Sequence, residues 1–357
     1  MLAASPALEP LRELAAAHGV ALDVLERPAQ HYRVRSRLAV RGRVREPKVG
    51  LFEQGSHWVV DIPECLVHHA AVNRTADAVR RAIQVSGTPP YTEATHRGVL
   101  RYVQIVVERS SQRVQLVLVG NCATAEPLAG LVSELQRELG AKLHGVFFSA
   151  QTEKSNAILG PSCELIAGEQ AVEERIAGAR AFFPPDAFGQ SHLALYDDVV
   201  ARIGGLVPDG ADVLELYAGV GAIGLALLPR AKRVRFNELG AGSLRGLELG
   251  IAALPSELQA RTSVHPGSAA QHVGLLAEAS VVIADPPRKG LARELTQALA
   301  AAPPERFIYL SCDTATLLRD VAMLFAGGHV RLTSLTACDF FPFTEHVETL
   351  AVFDRVP

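Results

Sequence analysis

The second half of the chain alternates short apolar runs with amphipathic stretches. Runs suited to buried strands lie at Asp212 to Leu216, Arg233 to Phe236, Ser280 to Ala284 and Arg306 to Leu310. Helix-like segments follow at Ala222 to Leu228, Ser243 to Ala253, Ala292 to Ala301 and Thr314 to Phe325. A further helix carrying Leu193, Leu195, Val199, Val200 and Ile203 comes after the Pro-rich Phe183-Pro184-Pro185. Repeated strand and helix units predict an α/β fold with a doubly wound, mostly parallel sheet and right-handed crossovers.

The first part of the chain has a different rhythm. Leu8, Leu11 and Leu14 mark an amphipathic helix ending near Gly19, and Lys48 to Ile62 reads as a Gly-turned hairpin. Thr75 is placed to cap a helix carrying Val79 and Ile83. Strands are expected at Leu100 to Val107, Arg113 to Val119 and Leu143 to Ser149, with a helix from Ala125 to Leu139. The expected division is an α+β region over residues 1–178 and an α/β domain over 179–357.

The 357 residues and 48% hydrophobic content suit two full cores. Apolar runs fall short of the ~20 residues a membrane span needs, and the charged N-terminus lacks a secretory core, so a cytoplasmic protein with no membrane partner is expected. The net charge of −3 argues against a uniformly basic surface, but Arg33, Arg35, Arg37, Arg41, Arg43, Arg45 and Lys48 cluster. In an extended strand Arg33, Arg35 and Arg37 would share one face. That face is either simply solvated or a phosphate contact. The five cysteines, Cys65, Cys122, Cys163, Cys312 and Cys338, include no CxxC pair, so neither a disulfide framework nor a metal site is indicated.

Candidate chemistry gathers in the second half. Tyr217-Ala218-Gly219-Val220-Gly221 follows a strand with the small residues that let backbone approach a ligand, and Gly219, Gly221 and Gly224 also fit dinucleotide spacing, which leaves NAD open. Glu238 closes the next strand, where a carboxylate can accept both hydroxyls of a ribose. In Asp285-Pro286-Pro287-Arg288 two prolines stiffen the backbone behind a strand-end carboxylate. Cys312 ends the following strand, and Glu348 comes late in the chain.

Together these residues resemble the RNA 5-methyluridine methyltransferase family, whose members carry D-P-P-R, a nucleophile turn similar to Ser311-Cys312-Asp313-Thr314, and a closing F-P-x-T-x-H-x-E signature matched by Phe341-Pro342-Phe343-Thr344-Glu345-His346-Val347-Glu348. Phe188-Gly189-Gln190 and His31-Tyr32-Arg33-Val34-Arg35 are similar to further family segments, so the resemblance covers most of the chain, loosely between Pro63 and Ala179. It implies a Rossmann-like class I domain that uses S-adenosyl-L-methionine, with Gln190, Tyr217, Gly219, Glu238 and Asp285 around the cofactor. Cys312 would add to carbon 6 of a uracil, Glu348 would remove the carbon 5 proton, and Asp285 would line the place where donor and base meet. The partner would be structured RNA, tRNA or rRNA, held by the N-terminal α+β region, with the target uridine extruded.

His346 is expected on the same strand face as Glu348, and Phe340, Phe341 and Phe343 form either a stacking surface or core. Branches of the family with an iron-sulfur cluster use four cysteines where this chain has only Cys65 in a plausible place, so no cluster is expected. The family's Asn after the glycine turn is Ala222 here, and its Asn-Pro after the nucleophile is Asp313-Thr314. A compact monomer of the tRNA-modifying type is the leading expectation; an RNA-binding or RNA-folding protein without catalysis is the alternative.

Overall fold

A computed structural model describes every residue except Met1, Ala3, Ala4, His57 and Pro357. Two compact units emerge. One holds Met1–Pro28, Arg175–Phe182 and His192–Pro357, the other Ala29–Glu174 and Phe183–Ser191.

In the first unit an eight-stranded sheet runs in the order Leu22–Leu25, Val330–Cys338, Glu348–Arg355, Arg306–Ser311, Val281–Ala284, Asp212–Leu216, Arg233–Glu238 and Thr262–Pro266. Every neighbouring pair is parallel except the two made by Glu348–Arg355, which runs against both of its neighbours. The central strands are Val-, Leu- and Ile-rich and buried on both faces, as a sheet covered by helices on two sides requires. Strand order reverses between Asp212–Leu216 and Val281–Ala284, and in doubly wound folds ligands bind beyond the strand C-termini at such a switch point. Helices Leu193–Leu206, Ala222–Leu227, Ala241–Ala252, Arg293–Ala301 and Thr314–Ala326 fall close to the expected segments.

The expectation that residues 1–178 form one region is redrawn by pairing. Turn Pro6–Leu8 and helix Glu9–Ala17 bury Leu8 and Leu11 in the first unit's core, and Leu22–Leu25 joins the sheet in parallel beside Leu335 to Cys338. A four-residue strand whose partner lies over 300 positions away leaves no local signal of where it docks.

The second unit is a seven-stranded sheet in the order Val59–Asp61, Glu46–Phe52, Arg35–Arg43, Leu100–Val107, Val114–Gly120, Leu143–Ala150 and Glu164–Gly168. Only Val114–Gly120 and Leu143–Ala150 pair in parallel, joined through helix Ala129–Leu139. Helix Ala70–Ser86 packs beside that helix. Its N-cap is His69, whose ring accepts from the Ala71 N–H; Thr75, expected to cap, sits one turn inside and donates its hydroxyl to the Ala71 carbonyl at 2.7 Å. Thr can make either bond, and the apolar stripe extends back past Thr75 to Ala71 and Val72.

Candidate active site

The glycine turn is held from below by two acids. Tyr217, Gly219 and Gly221 take positive φ angles of +56°, +57° and +75°. A Cβ on Gly221 would stand 2.4 Å from Leu247 Cδ1, so glycine is required there by both conformation and space. A Cβ on Gly219 would meet nothing within 4 Å, which makes this position the open lip of the turn. Glu238 accepts the Gly219 N–H at 2.7 Å on one oxygen, and the Leu239 and Gly240 N–H groups at 2.9 and 2.5 Å on the other. The second oxygen's two lone pairs are both taken, the first keeps one for a ligand, and three amide bonds fix the direction in which it is offered.

Glu215 is the acid that local pattern could not assign, since it merely interrupts an apolar strand. It is buried, accepts the Gly224 N–H at 2.7 Å, and burial pushes its carboxyl up to about 8. A Cβ on Gly224 would lie 2.4 Å from that oxygen.

Asp285 follows the last paired residue of its strand, with Ala284 in register with Leu216 on one side and Tyr309 on the other. The Asp285–Leu291 turn is anchored at successive points. Arg288 O accepts from Thr316 Oγ1 at 3.2 Å, and Lys289 O from Arg319 at 2.8 Å. The Leu291 N–H donates to Asp320 at 2.9 Å, and the Ala292 N–H to the Tyr217 hydroxyl at 3.2 Å. Asp320, buried in helix Thr314–Ala326, also accepts the Tyr309 hydroxyl at 2.8 Å. Tyr217 thereby links the glycine turn to the Asp285 turn. Asp320 was missed because a polar residue inside a helical stripe shows its purpose only through partners on other elements.

Cys312 and Glu348 are brought together by strand register. Ser311 pairs with Thr349 and Cys338 with Glu348, so Cys312 and Glu348 are the next antiparallel neighbours at the same sheet edge. Neighbouring strands lie about 4.8 Å apart, which sets the scale of the gap. Glu348 is buried, and its Oε1 has no hydrogen-bond partner among the described residues. Burial, then Asp285, raises its carboxyl well above the usual range, while Arg288 works the other way. Burial likewise raises Asp285. Cys312 is half-buried just ahead of helix Thr314–Ala326, whose N-terminus favours a thiolate. Burial, Glu348 and Asp285 outweigh Arg288, and the thiol is pushed up to about 11. Asp313 caps that helix through the Thr316 N–H at 2.9 Å, the bond an Asn would make, so the departure from Asn-Pro leaves the turn intact.

Other candidates fall elsewhere. Gln190 is buried and belongs with the second unit. The basic ribbon is not a uniform face: Arg33 precedes the strand, Arg37 is exposed and donates to Gln104 at 2.7 Å, and Arg35 is buried. Arg35 donates to the Ala187 carbonyl at 3.1 Å with its guanidinium 5.8 Å from the Phe183 ring centre, and burial lowers it to about 10. Gln104 and Gln115 bind the Pro185 and Phe183 carbonyls at 2.6 and 3.2 Å, so the inward face of these strands holds the segment Phe183–Ser191. Arg35 is therefore removed from the set of phosphate contacts. His346 is exposed in the loop before the strand, which begins only at Glu348. No group of three or more His, Cys, Asp or Glu able to hold a metal occurs among the described residues, and none of their helices is long and apolar enough to cross a membrane.

A mostly parallel sheet with one antiparallel strand third from its edge, a glycine turn at the switch point and an acid on the following strand give this unit the fold of a class I methyltransferase. The family model for tRNA (uracil-5-)-methyltransferase matches residues 275–356. An uncharacterized RNA methyltransferase of Protochlamydia amoebophila is 32% identical over 330 residues, spanning 91% of this chain and 86% of that protein. Another from Gloeobacter violaceus is 32% identical over 326 residues, covering 87% and 67%. The fold also matches Pyrococcus abyssi tRNA (uracil-54, C5)-methyltransferase in complex with S-adenosyl-L-homocysteine, with a TM-score of 0.79 and 22% identity over 97% of this chain and 82% of that one. The chain belongs to the family of RNA methyltransferases that these relatives represent.

Proposed function

We propose that the protein methylates carbon 5 of a uridine in structured RNA through a transient bond between Cys312 and carbon 6 of the base. The observation that supports this most is the convergence of Cys312, Glu348 and Asp285 on one sheet edge by strand register. The cofactor fits the residues present: the open lip at Gly219, the amide-fixed carboxylate of Glu238 and the Tyr217 turn form a cradle for a nucleoside. S-adenosyl-L-methionine supplies an electrophilic methyl carbon on a sulfonium.

Carbon 5 of uracil is a weak nucleophile. Cys312, as thiolate, donates a pair to carbon 6, and the ring's double-bond electrons move through carbon 5 onto the carbonyl at position 4. Carbon 5 then takes the methyl group. Glu348, as carboxylate, removes the carbon 5 proton, the double bond re-forms and the thiolate leaves. Asp285, carried on a turn anchored to Tyr217, Asp320 and Arg319, orients the base against the donor. A stacked uridine cannot present carbon 6 and carbon 5 to these groups, so the substrate is extruded or already looped out. The test is Cys312→Ala. It abolishes methyl transfer to RNA from cells lacking the protein while S-adenosyl-L-homocysteine still binds; turnover by the variant refutes the covalent route.

A further inference from the structure

The loop between Cys338 and Glu348 is rooted at both ends on the edge that carries Cys312, because Cys338 and Glu348 face each other in register and Ser311 pairs with Thr349. Phe343 stands midway, five residues from either root. At no more than ~3.5 Å per residue, its backbone stays within about 17 Å of Glu348 however the loop bends.

The three aromatics of this stretch behave differently. Phe340 is 1% exposed and meets Tyr196 edge-on with ring centres 6.4 Å apart. Phe341 is half-buried, its ring 6.1 Å from that of His346. Phe343 is 81% exposed, more than any other large apolar side chain among the described residues. Its φ is +69°, a left-handed value that a bulky residue avoids unless its surroundings hold it there. Thr344 does so: its N–H and hydroxyl donate to the Phe341 carbonyl at 3.1 and 2.8 Å, and the hydroxyl accepts the His346 N–H at 3.2 Å. A strained turn that drives an apolar ring into water does nothing for the isolated fold. In the family signature this is a free position, and this chain places an aromatic there.

We propose that Phe343 stacks within the substrate RNA beside the extruded uridine, taking the gap that extrusion opens. The inference rests on the reading of this chain as a methyltransferase of an extruded uridine. A departing base leaves a slot between two flat π-faces, and a phenyl ring fills it without needing any particular base. Phe343 has no hydrogen-bonding group, so it would recognise a site whose neighbours can part rather than a sequence.

The test compares wild type, Phe343→Ala and Phe343→Trp on two forms of the RNA found to be methylated. One form is fully folded; in the other, the residues that pair with or stack on the target are replaced so that the uridine is already out. With Phe343→Ala, kcat/KM should fall about tenfold on the folded form, the scale of one base-aromatic stack, and little on the pre-extruded form. Phe343→Trp should retain activity on both, and S-adenosyl-L-homocysteine should bind all three proteins equally. Equal losses on both RNAs, or none on either, overturn the proposal. A wild-type protein that methylates no RNA refutes the parent reading and this one with it, an outcome distinct from an active wild type matched by Phe343→Ala.

Discussion

Replacing Glu348 with Gln should make Cys312 more acidic even as it removes the proposed base. In the folded protein burial, then Glu348, then Asp285, lift the thiol from 9.0 to about 11. At pH 9 the wild-type thiol is therefore about one part in a hundred thiolate, against about half for an unperturbed one. Glu348→Gln removes the second largest cause and leaves burial in place, so the midpoint drops by less than the full two units. Reactivity near pH 9 should rise several-fold and by less than about a hundredfold. Asp285→Asn should act in the same direction and more weakly, following the order of causes. The assay is the pH profile of iodoacetamide alkylation between pH 7 and 11.5, read by peptide mass, with Cys65, Cys122, Cys163 and Cys338 as internal references. S-adenosyl-L-methionine should shift the midpoint down, because its sulfonium is a cation, and neutral S-adenosyl-L-homocysteine should not. A wild-type midpoint below 9, or no change in Glu348→Gln, would show that these charges do not face one another as described.

Two further variants test the supports beneath the site. Glu215 has a folded-state value of about 8 against an ordinary 4.5, so the buried site favours its protonated form. The penalty is absent below about pH 4.5, grows as pH rises and levels off above 8. Glu215→Gln, which keeps an acceptor for Gly224, should match wild type in Tm near pH 4.5 and exceed it by an increasing margin, on the order of 3 kcal/mol by pH 7; parallel curves would contradict this. Asp320→Ala leaves the Leu291 N–H and the Tyr309 hydroxyl without their acceptor, at about 1–3 kcal/mol for each buried group. Amide exchange over Asp285–Leu291 should quicken, and unchanged protection there would show that the turn is held by other means.

Much of this was legible in the chain itself. Period and punctuation located most strands and helices between Leu193 and Ala326, but not the strand Thr262–Pro266 or the helical turns Ser256–Gln259 and Ala269–Glu278 beside it. The family motifs named Cys312, Asp285 and Glu348, and strand register places their backbones at one edge. Most failures share one cause. Arg35 was read as a surface cation because its strand alternates with apolar residues, yet the face it occupies is covered by Phe183–Ser191, some 150 positions on. Asp320 looked like an interruption in an apolar pattern, and it binds the Leu291 amide of a turn that the sequence does not place beside it; Glu215 looked the same, although its partner, the Gly224 amide, lies only nine residues on in the next helix. Leu22–Leu25 was assigned to the wrong region for the same reason. Burial of a charge is settled by what long-range folding lays over it, and no short window contains that information.

The covalent step is tested most directly by incubating the protein with S-adenosyl-L-methionine and its RNA carrying 5-fluorouridine at the target, where fluorine in place of hydrogen leaves Glu348 no proton to remove. A methylated adduct should accumulate, stable to denaturation, with the RNA fragment's mass on the peptide containing Cys312 and on no other cysteine. Methylation without any protein-RNA adduct, or an adduct mapped to a different residue, would contradict the account.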